Sequence, residues 1–275
     1  MQNEANASRW VLLRGLVRES AHWDDFPQRF AASVPGARCY SVDFPGTGVH
    51  WQTLSPFSVA GIMEAGRAEA LQRSAALSGA PLFVLSVSLG AMVAIEWARR
   101  HPAELAGVVL INTSLGGLSP LHERLNWRVL PDMLRMALER DVARREEQIL
   151  RLTSNAASFS PELIAARVDA YRRHPVSGRT LLRQLWAASR FRPSLEKPPV
   201  PVLLLSGQGD RMVSPGCTDA LARIWQLEPL RHPTAGHDLP LDEPEWTIEV
   251  TREWMRGLAL SASSETSAVG TPGRS

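Results

Sequence analysis

The stretch Pro81–Pro102, "PLFVLSVSLGAMVAIEWARRHP", decides how this chain folds. Leu82 to Val87 form a run of apolar and β-branched residues with the length and composition of a strand covered on both faces. From Leu89 the pattern becomes that of an amphipathic helix ending near "WARRHP". A strand that becomes a helix within so few residues must pinch its backbone. The residue at the tip, Ser88, is then held strained above the strand's carboxyl end. The residues two before and two after the tip must be small, because strand and helix pass closely there; Ser86 and Gly90 occupy those places. Ser86 therefore reads as a packing residue bonded to nearby backbone, and Ser88 as the candidate nucleophile. The short pattern recurs by chance in many chains, so the partners of Ser88 must carry the argument.

Working outward, further strand candidates begin at Arg9 ("RWVLLRG"), Ala37 ("ARCYSVDF"), Leu105 ("LAGVVLINTS"), Val200 ("VPVLLLSGQ") and Gln226 ("QLEPLRH"). Helical patterns fall between them, near residues 23–33, 58–78, 89–101, 215–225 and 244–258. That alternation predicts an α/β fold, a doubly wound and mostly parallel sheet. One interval breaks the rhythm. Between Ser114 and Pro199 the chain shows only helical segments rich in Leu, Arg and Glu, such as "PDMLRMALERDVARREEQILRL". An insertion of roughly 80 residues is too long for a plain crossover and predicts a helical cap over one edge of the sheet. The expected division is a core of residues 9–114 and 200–258, a cap of 115–199, and flexible termini at 1–8 and 259–275. The charge-rich cap stretch reads as a solvated helix face.

Composition narrows the function classes. Of 275 residues, 44% are hydrophobic and 21% charged, the balance of a soluble globular enzyme. The formal charge of +2 comes without a dense Lys/Arg stripe, which disfavours nucleic acid as a partner. No apolar run reaches the ~20 residues of a membrane span. The polar opening "MQNEANASRW" lacks a signal peptide's apolar stretch, so the cytoplasm is the expected compartment. Cys39 and Cys217 read as buried thiols, and the histidines show no metal-ligand spacing. No cofactor or metal is implied, and the oligomeric state stays open.

A serine hydroxyl needs a base to take its proton and a carboxylate to orient that base. In a doubly wound sheet the three meet only on loops at the strands' carboxyl ends. Asp210 stands at such a place, after "PVLLLSGQG", although "GDRMVSP" also suits an ordinary turn aspartate. His237, in "TAGHDLPLDEP", lies on the loop after the last strand, whereas His232 sits within that strand as an edge histidine. The predicted set is Ser88, Asp210 and His237, in the chain order nucleophile, acid, base. Asp238 and Asp242 read as residues of the loop turn and the helix start.

Acyl transfer also needs donors for the developing oxyanion. One is the Leu89 N–H at the start of its helix; the other is the Leu16 N–H in "LLRGLVRESAHW", where Gly15 permits a tight turn. Arg18 and Glu19 pair with each other or with the cap; alternatively Arg18, with Gly15, lines the pocket and meets an anionic substrate group.

Taken together, "RGL" at residues 14–16, "DFPGTG" from Asp43, "SVSLG" from Ser86, "GQGD" from Gly207 and "GHDLPLDEP" from Gly236 resemble the α/β-hydrolase superfamily over roughly residues 9–258. The resemblance implies a central parallel sheet, a cap inserted after the sixth strand of the usual numbering, and a cofactor-free Ser-His-Asp site. The chain departs from the pattern in Ser86 for the first elbow glycine, in Arg14 for a common histidine, and in an N-terminus too short for a leading hairpin. The expected activity is hydrolysis of a small-molecule ester or related acyl bond through an acyl-enzyme on Ser88. The alternatives are thioester, lactone or carbon–carbon hydrolysis, perhydrolysis or a lyase reaction on the same fold, and a binding protein that has kept the fold. Cap residues Trp127, Met133, Met136 and Trp186 favour an apolar acyl portion, or else pack the cap on the core.

Overall fold

The computed structural model describes residues 7–268. In chain order it forms β1 (Ser8–Leu13), α1 (Phe26–Ser33), β2 (Ala37–Val42), α2 (Val59–Arg73), β3 (Leu82–Val87), α3 (Leu89–Arg100) and β4 (Gly107–Ile111). Five helices follow without a strand: α4 (Leu121–Arg124), α5 (Leu130–Leu138), α6 (Val142–Thr153), α7 (Pro161–Arg173) and α8 (Gly178–Arg190). The rhythm then resumes with β5 (Val202–Gly207), α9 (Pro215–Trp225), β6 (Leu230–His232), α10 (Leu239–Asp242) and α11 (Pro244–Ala268).

The six strands form one all-parallel sheet in the order β2-β1-β3-β4-β5-β6. Its apolar runs bury both faces, and the two-residue period of a strand sorts them. Val11, Leu13, Val84, Val108, Leu110 and Leu204 point to the side covered by α2, α3 and α9. Trp10, Leu12, Leu85, Val109, Ile111 and Leu205 point to the side covered by α1 and α11. On that second side Trp10 stacks on Phe83 with centroids 4.8 Å apart and tilts against Phe30 of α1 at 4.7 Å. Parallel pairing sends every strand's carboxyl end to the same edge, where the loops carrying Ser88, Asp210 and His237 emerge.

Helix caps mark the long segments as the residue types require. Ser58, Asp141, Ser160 and Ser177 accept bonds from backbone N–H groups in the first turns of α2, α6, α7 and α8. Glu146, in the charge-rich stretch read as a solvated face, is buried, because it pairs with Arg18. Several boundaries differ from the sequence reading: β6 is confined to Leu230–His232, α2 ends at Arg73 and α1 begins at Phe26. β1 begins at Ser8 rather than Arg9, and α11 runs past Leu258 to Ala268. Once Ile248, Trp254 and Leu258 anchor a helix by packing, residues such as Ala259 add turns without needing a core of their own. The terminal stretches expected to be flexible at residues 1–6 and 269–275 lie outside the described residues. Among the described residues, no helix is long and apolar enough to cross a membrane.

Leu85 lies fully buried in the central strand. Leu85→Ala is expected to lower the unfolding free energy by about 2–5 kcal/mol, read from urea denaturation followed by circular dichroism.

Candidate active site

The elbow has the geometry its residues demand. Ser88 adopts φ 56°, ψ −115° between β3 and α3, a conformation that costs a non-glycine residue about 1–3 kcal/mol. Its N–H donates to the Ile111 carbonyl at 2.9 Å, and its carbonyl accepts from the Ala91 N–H at 3.0 Å. Gly90 is required by close approach: a Cβ there would stand 2.4 Å from the Leu13 carbonyl oxygen and 2.7 Å from that of Arg14. Ser86 is fully buried, and its hydroxyl donates to the Val109 carbonyl at 2.8 Å, which occupies it in the sheet.

Asp210 and His237 meet. The His237 Nδ1 lies 2.7 Å from Asp210 Oδ2, and the Asp210 side chain is 1% exposed. The other oxygen, Oδ1, accepts from the backbone N–H groups of Met212 and Val213 at 2.8 and 3.0 Å. These bonds fix the carboxylate's plane, so one oxygen is left to orient the ring. Burial opposes the charged imidazole, but the charge and hydrogen bond of Asp210 outweigh it and raise the His237 pKa above its ordinary value. The Ser88 hydroxyl makes no hydrogen bond among the described residues.

Asn112 joins the two halves. It follows Ile111, whose carbonyl holds Ser88, and adopts φ 49° at the end of β4. Its Nδ2 donates to the Gly236 and His237 carbonyls at 3.0 and 2.9 Å, while its Oδ1 accepts from the Gly207 N–H at 2.9 Å. Two consecutive residues thus set the serine elbow and the histidine loop against one strand end.

Next to this edge runs the segment after β1. A Cβ on Gly15 would lie 3.2 Å from the Ser88 Cβ, so this turn lies against the elbow. The Leu16 and Leu89 N–H groups have no hydrogen-bond partner among the described residues. Beyond Leu16 the segment is bonded to the helices between β4 and β5. Val17, at φ 51°, donates its N–H to Gln184 Oε1 of α8 at 2.8 Å. Arg18 pairs with Glu146 of α6 at 3.1 Å, and Glu19 with His174, just after α7, at 2.7 Å. Arg167 of α7, 2% exposed, reaches the Ala21 carbonyl and Asp24. Arg18 and Glu19 thus pair with the helices between β4 and β5 rather than with each other, and the Arg18 charge is matched by Glu146.

Three residues at this edge escape pattern reading. Asn112 sits in an ordinary strand ending, and only its tolerance of positive φ hints at a turn. Asn155, after α6, donates from Nδ2 to the Gly209 and Thr234 carbonyls at 3.0 and 2.8 Å, bracing both the acid loop and the histidine loop. Gln184 is fully buried with its Nε2 unpartnered, which no helical period reveals. Asp242, read as a helix-start residue, also accepts from the Gly236 N–H at 2.6 Å and the Asn155 N–H at 3.0 Å.

Comparison with known proteins places this geometry in context. The sequence model of the Alpha/beta hydrolase family matches residues 10–250. A search of curated proteins found no match. Among solved structures, a membrane phospholipase A described as a bacterial virulence factor is 18% identical, with a TM-score of 0.74 over 93% of this chain and 80% of that one. A thermophilic esterase from Thermogutta terrifontis is 19% identical, with a TM-score of 0.69 over 92% and 91% of the two chains. The enol-lactonase from Burkholderia xenovorans LB400 is 17% identical, with a TM-score of 0.71 over 91% and 92%. At such identities the likeness is one of fold.

Asn112→Ala removes three hydrogen bonds from buried backbone and is expected to cost about 1–3 kcal/mol for each group left unpaired. Asn112→Gly relieves the positive φ without restoring those bonds. It should therefore recover only the backbone part of the loss in urea unfolding.

Proposed function

The chain belongs to the alpha/beta hydrolase family, and from that premise we propose that it is a serine hydrolase of carboxylic ester bonds acting through an acyl-enzyme. The observation that carries this reading is the buried His237–Asp210 hydrogen bond of 2.7 Å, at the same sheet edge as the strained Ser88 elbow. An aspartate held by two backbone N–H groups and bonded to Nδ1 fixes the ring so that Nε2 is the atom left to act on a substrate or a hydroxyl.

In the proposed reaction, Ser88 attacks the ester carbonyl as the His237 Nε2 takes its proton. The carbonyl oxygen becomes an oxyanion facing the Leu16 and Leu89 N–H groups, and each such donor contributes about 3–4 kcal/mol to the transition state. The imidazolium, stabilised by Asp210, then protonates the departing alcohol, leaving Ser88 acylated. Water attacks the acyl-enzyme with His237 again as base, and release of the acid restores the hydroxyl. Gly15 keeps the wall beside Ser88 open. Met133 and Met136 pack with Val129, Ile149, Leu152 and Met212 in a small buried apolar cluster, so they hold α5 and α6 together. Trp127 and Trp186 are 62% and 51% exposed. Arg18, paired with Glu146, is available to an anionic substrate only if that pair opens.

Incubation with a serine-directed fluorophosphonate should label the wild-type protein at Ser88 and leave Ser88→Ala unlabelled. The same variant should lose on the order of 10⁴-fold or more in turnover of short acyl esters. An unlabelled wild type, or esterase activity that survives in Ser88→Ala, refutes the reading.

The pH dependence has a definite sign. The base must be neutral, so kcat/KM should fall as pH drops through a His237 midpoint lying above 6.5. The same raised pKa means the charged pair stabilises the fold below 6.5, and that contribution fades as pH rises through the elevated midpoint. Asp210→Asn removes the charge that raises His237 and should move the midpoint down, read from the acid limb of the ester profile.

A further inference from the structure

Arg14 and Asp238 are 224 residues apart and both buried, and the geometry joins them as a bidentate pair: Nη1 donates to Oδ1 at 3.0 Å and Nη2 to Oδ2. Each is the sequence neighbour of a proposed functional segment. Arg14 precedes Gly15 and Leu16, while Asp238 follows His237. Arg14 also touches the third segment, since its backbone carbonyl lies against Gly90 at the elbow. Its guanidinium sits 4.7 Å from the centroid of the Trp23 ring, which limits the directions it can take. Asp238 is held in turn by its N–H, which donates to the Thr153 carbonyl of the cap at 2.8 Å.

We propose that Arg14 and Asp238 are a positioning pair, a buried clamp that fixes the Gly15–Leu16 turn against the histidine loop and presents His237 with two cancelling charges. The proposal rests on the serine-hydrolase reading of the site. Two physical arguments carry it. A buried ion pair is seldom the best way to stabilise a core, because apolar residues of similar volume often do as well or better. What a fork-to-carboxylate pair supplies is a fixed distance and orientation, here between the strand end that bears an oxyanion donor and the loop that bears the base. The second argument is electrostatic. After Asp210, the leading charges on His237 are those of Asp238, which favours the imidazolium, and then Arg14, which opposes it. Paired, they leave Asp210 to set the basicity of the ring.

The test compares Arg14→Met, Asp238→Asn and the double variant with wild type, each shown to be folded by its thermal melt. Arg14→Met removes the cation paired with Asp238, leaving only the weaker pull of Arg167 and Arg18 on that carboxylate, and should move the acid limb of kcat/KM up by about one pH unit. Asp238→Asn leaves the guanidinium uncompensated and should move it down by a similar amount. In the double variant both charges are gone. Its midpoint should return to that of wild type while kcat stays at least about tenfold low with KM within about threefold, because the clamp is still missing. A pair that only stabilises the fold would lower the melting temperatures and leave the midpoints together. Coincident midpoints, or full kcat in the folded double variant, therefore overturn the proposal. If a variant melts too low for assay, titration of the His237 ring by NMR in the remaining single variant reads the same shift. That titration needs no turnover. Opposite shifts in a protein that fluorophosphonate does not label would refute the hydrolase reading while upholding the electrostatic pairing, and absent shifts in a labelled protein would refute the pairing alone.

Discussion

The hydrogen bond from the Ser88 N–H to the Ile111 carbonyl is the constraint from which the rest of the edge is measured. It extends the β3–β4 pairing past the last strand residue, so the elbow cannot rise from the sheet without breaking it. Ser88 is thereby kept at a positive φ that an unsupported serine would leave. The next residue, Asn112, carries the same reference point to the histidine loop and to the start of the acid loop through Gly207. Precision at the site comes from backbone groups bonded to one rigid strand end, not from the loops themselves.

Around this edge polar bonds join the helices between β4 and β5 to the rest of the chain, beside the apolar packing of Ala187 and Phe191. Gln184, Glu146, His174 and Arg167 all reach the segment between Val17 and Asp24. The result is a buried cluster in which Arg14, Arg18 and Arg167 each face a carboxylate of their own. Matching is what makes such burial tolerable, since a buried charge without a partner is strongly unfavourable. His22 pays the electrostatic consequence: burial, then the charges of Arg18, Arg167 and Arg14, hold its pKa well below the ordinary value and keep the ring neutral. Its Nδ1 is then free to accept the Glu19 N–H at 2.9 Å, which turns the chain into the segment that the cap grips.

The legible parts of this protein are those governed by local rules. The strands β1, β3, β4 and β5, the helices between them and the strandless interval after Ser114 follow from apolar period and length, because burial on both faces leaves a near-continuous apolar run, whereas the edge strands β2 and β6 are only partly buried. The elbow was readable because Gly90 admits no side chain beside the Leu13 carbonyl. Less legible were polar residues whose partners lie far along the chain. Asn112, Asn155 and Gln184 have unremarkable neighbours in sequence, and their importance comes from carbonyl and N–H groups that the fold delivers to them. Arg14 stood out only as a departure from a familiar pattern, and nothing local to it points to Asp238.

What the amino-acid sequence by itself determined is the α/β architecture, the position of the elbow and the chain order of Ser88, Asp210 and His237. All of these are written in periods, small residues and turn chemistry acting over a few neighbours. What only the tertiary structure decided is pairing: that His237 meets Asp210, that Arg18 meets Glu146 rather than Glu19, and that Arg14 meets Asp238. The reason is that charge and hydrogen-bond complementarity acts over ångströms in space, and residues hundreds of positions apart acquire that proximity only when the sheet brings their loops to one edge.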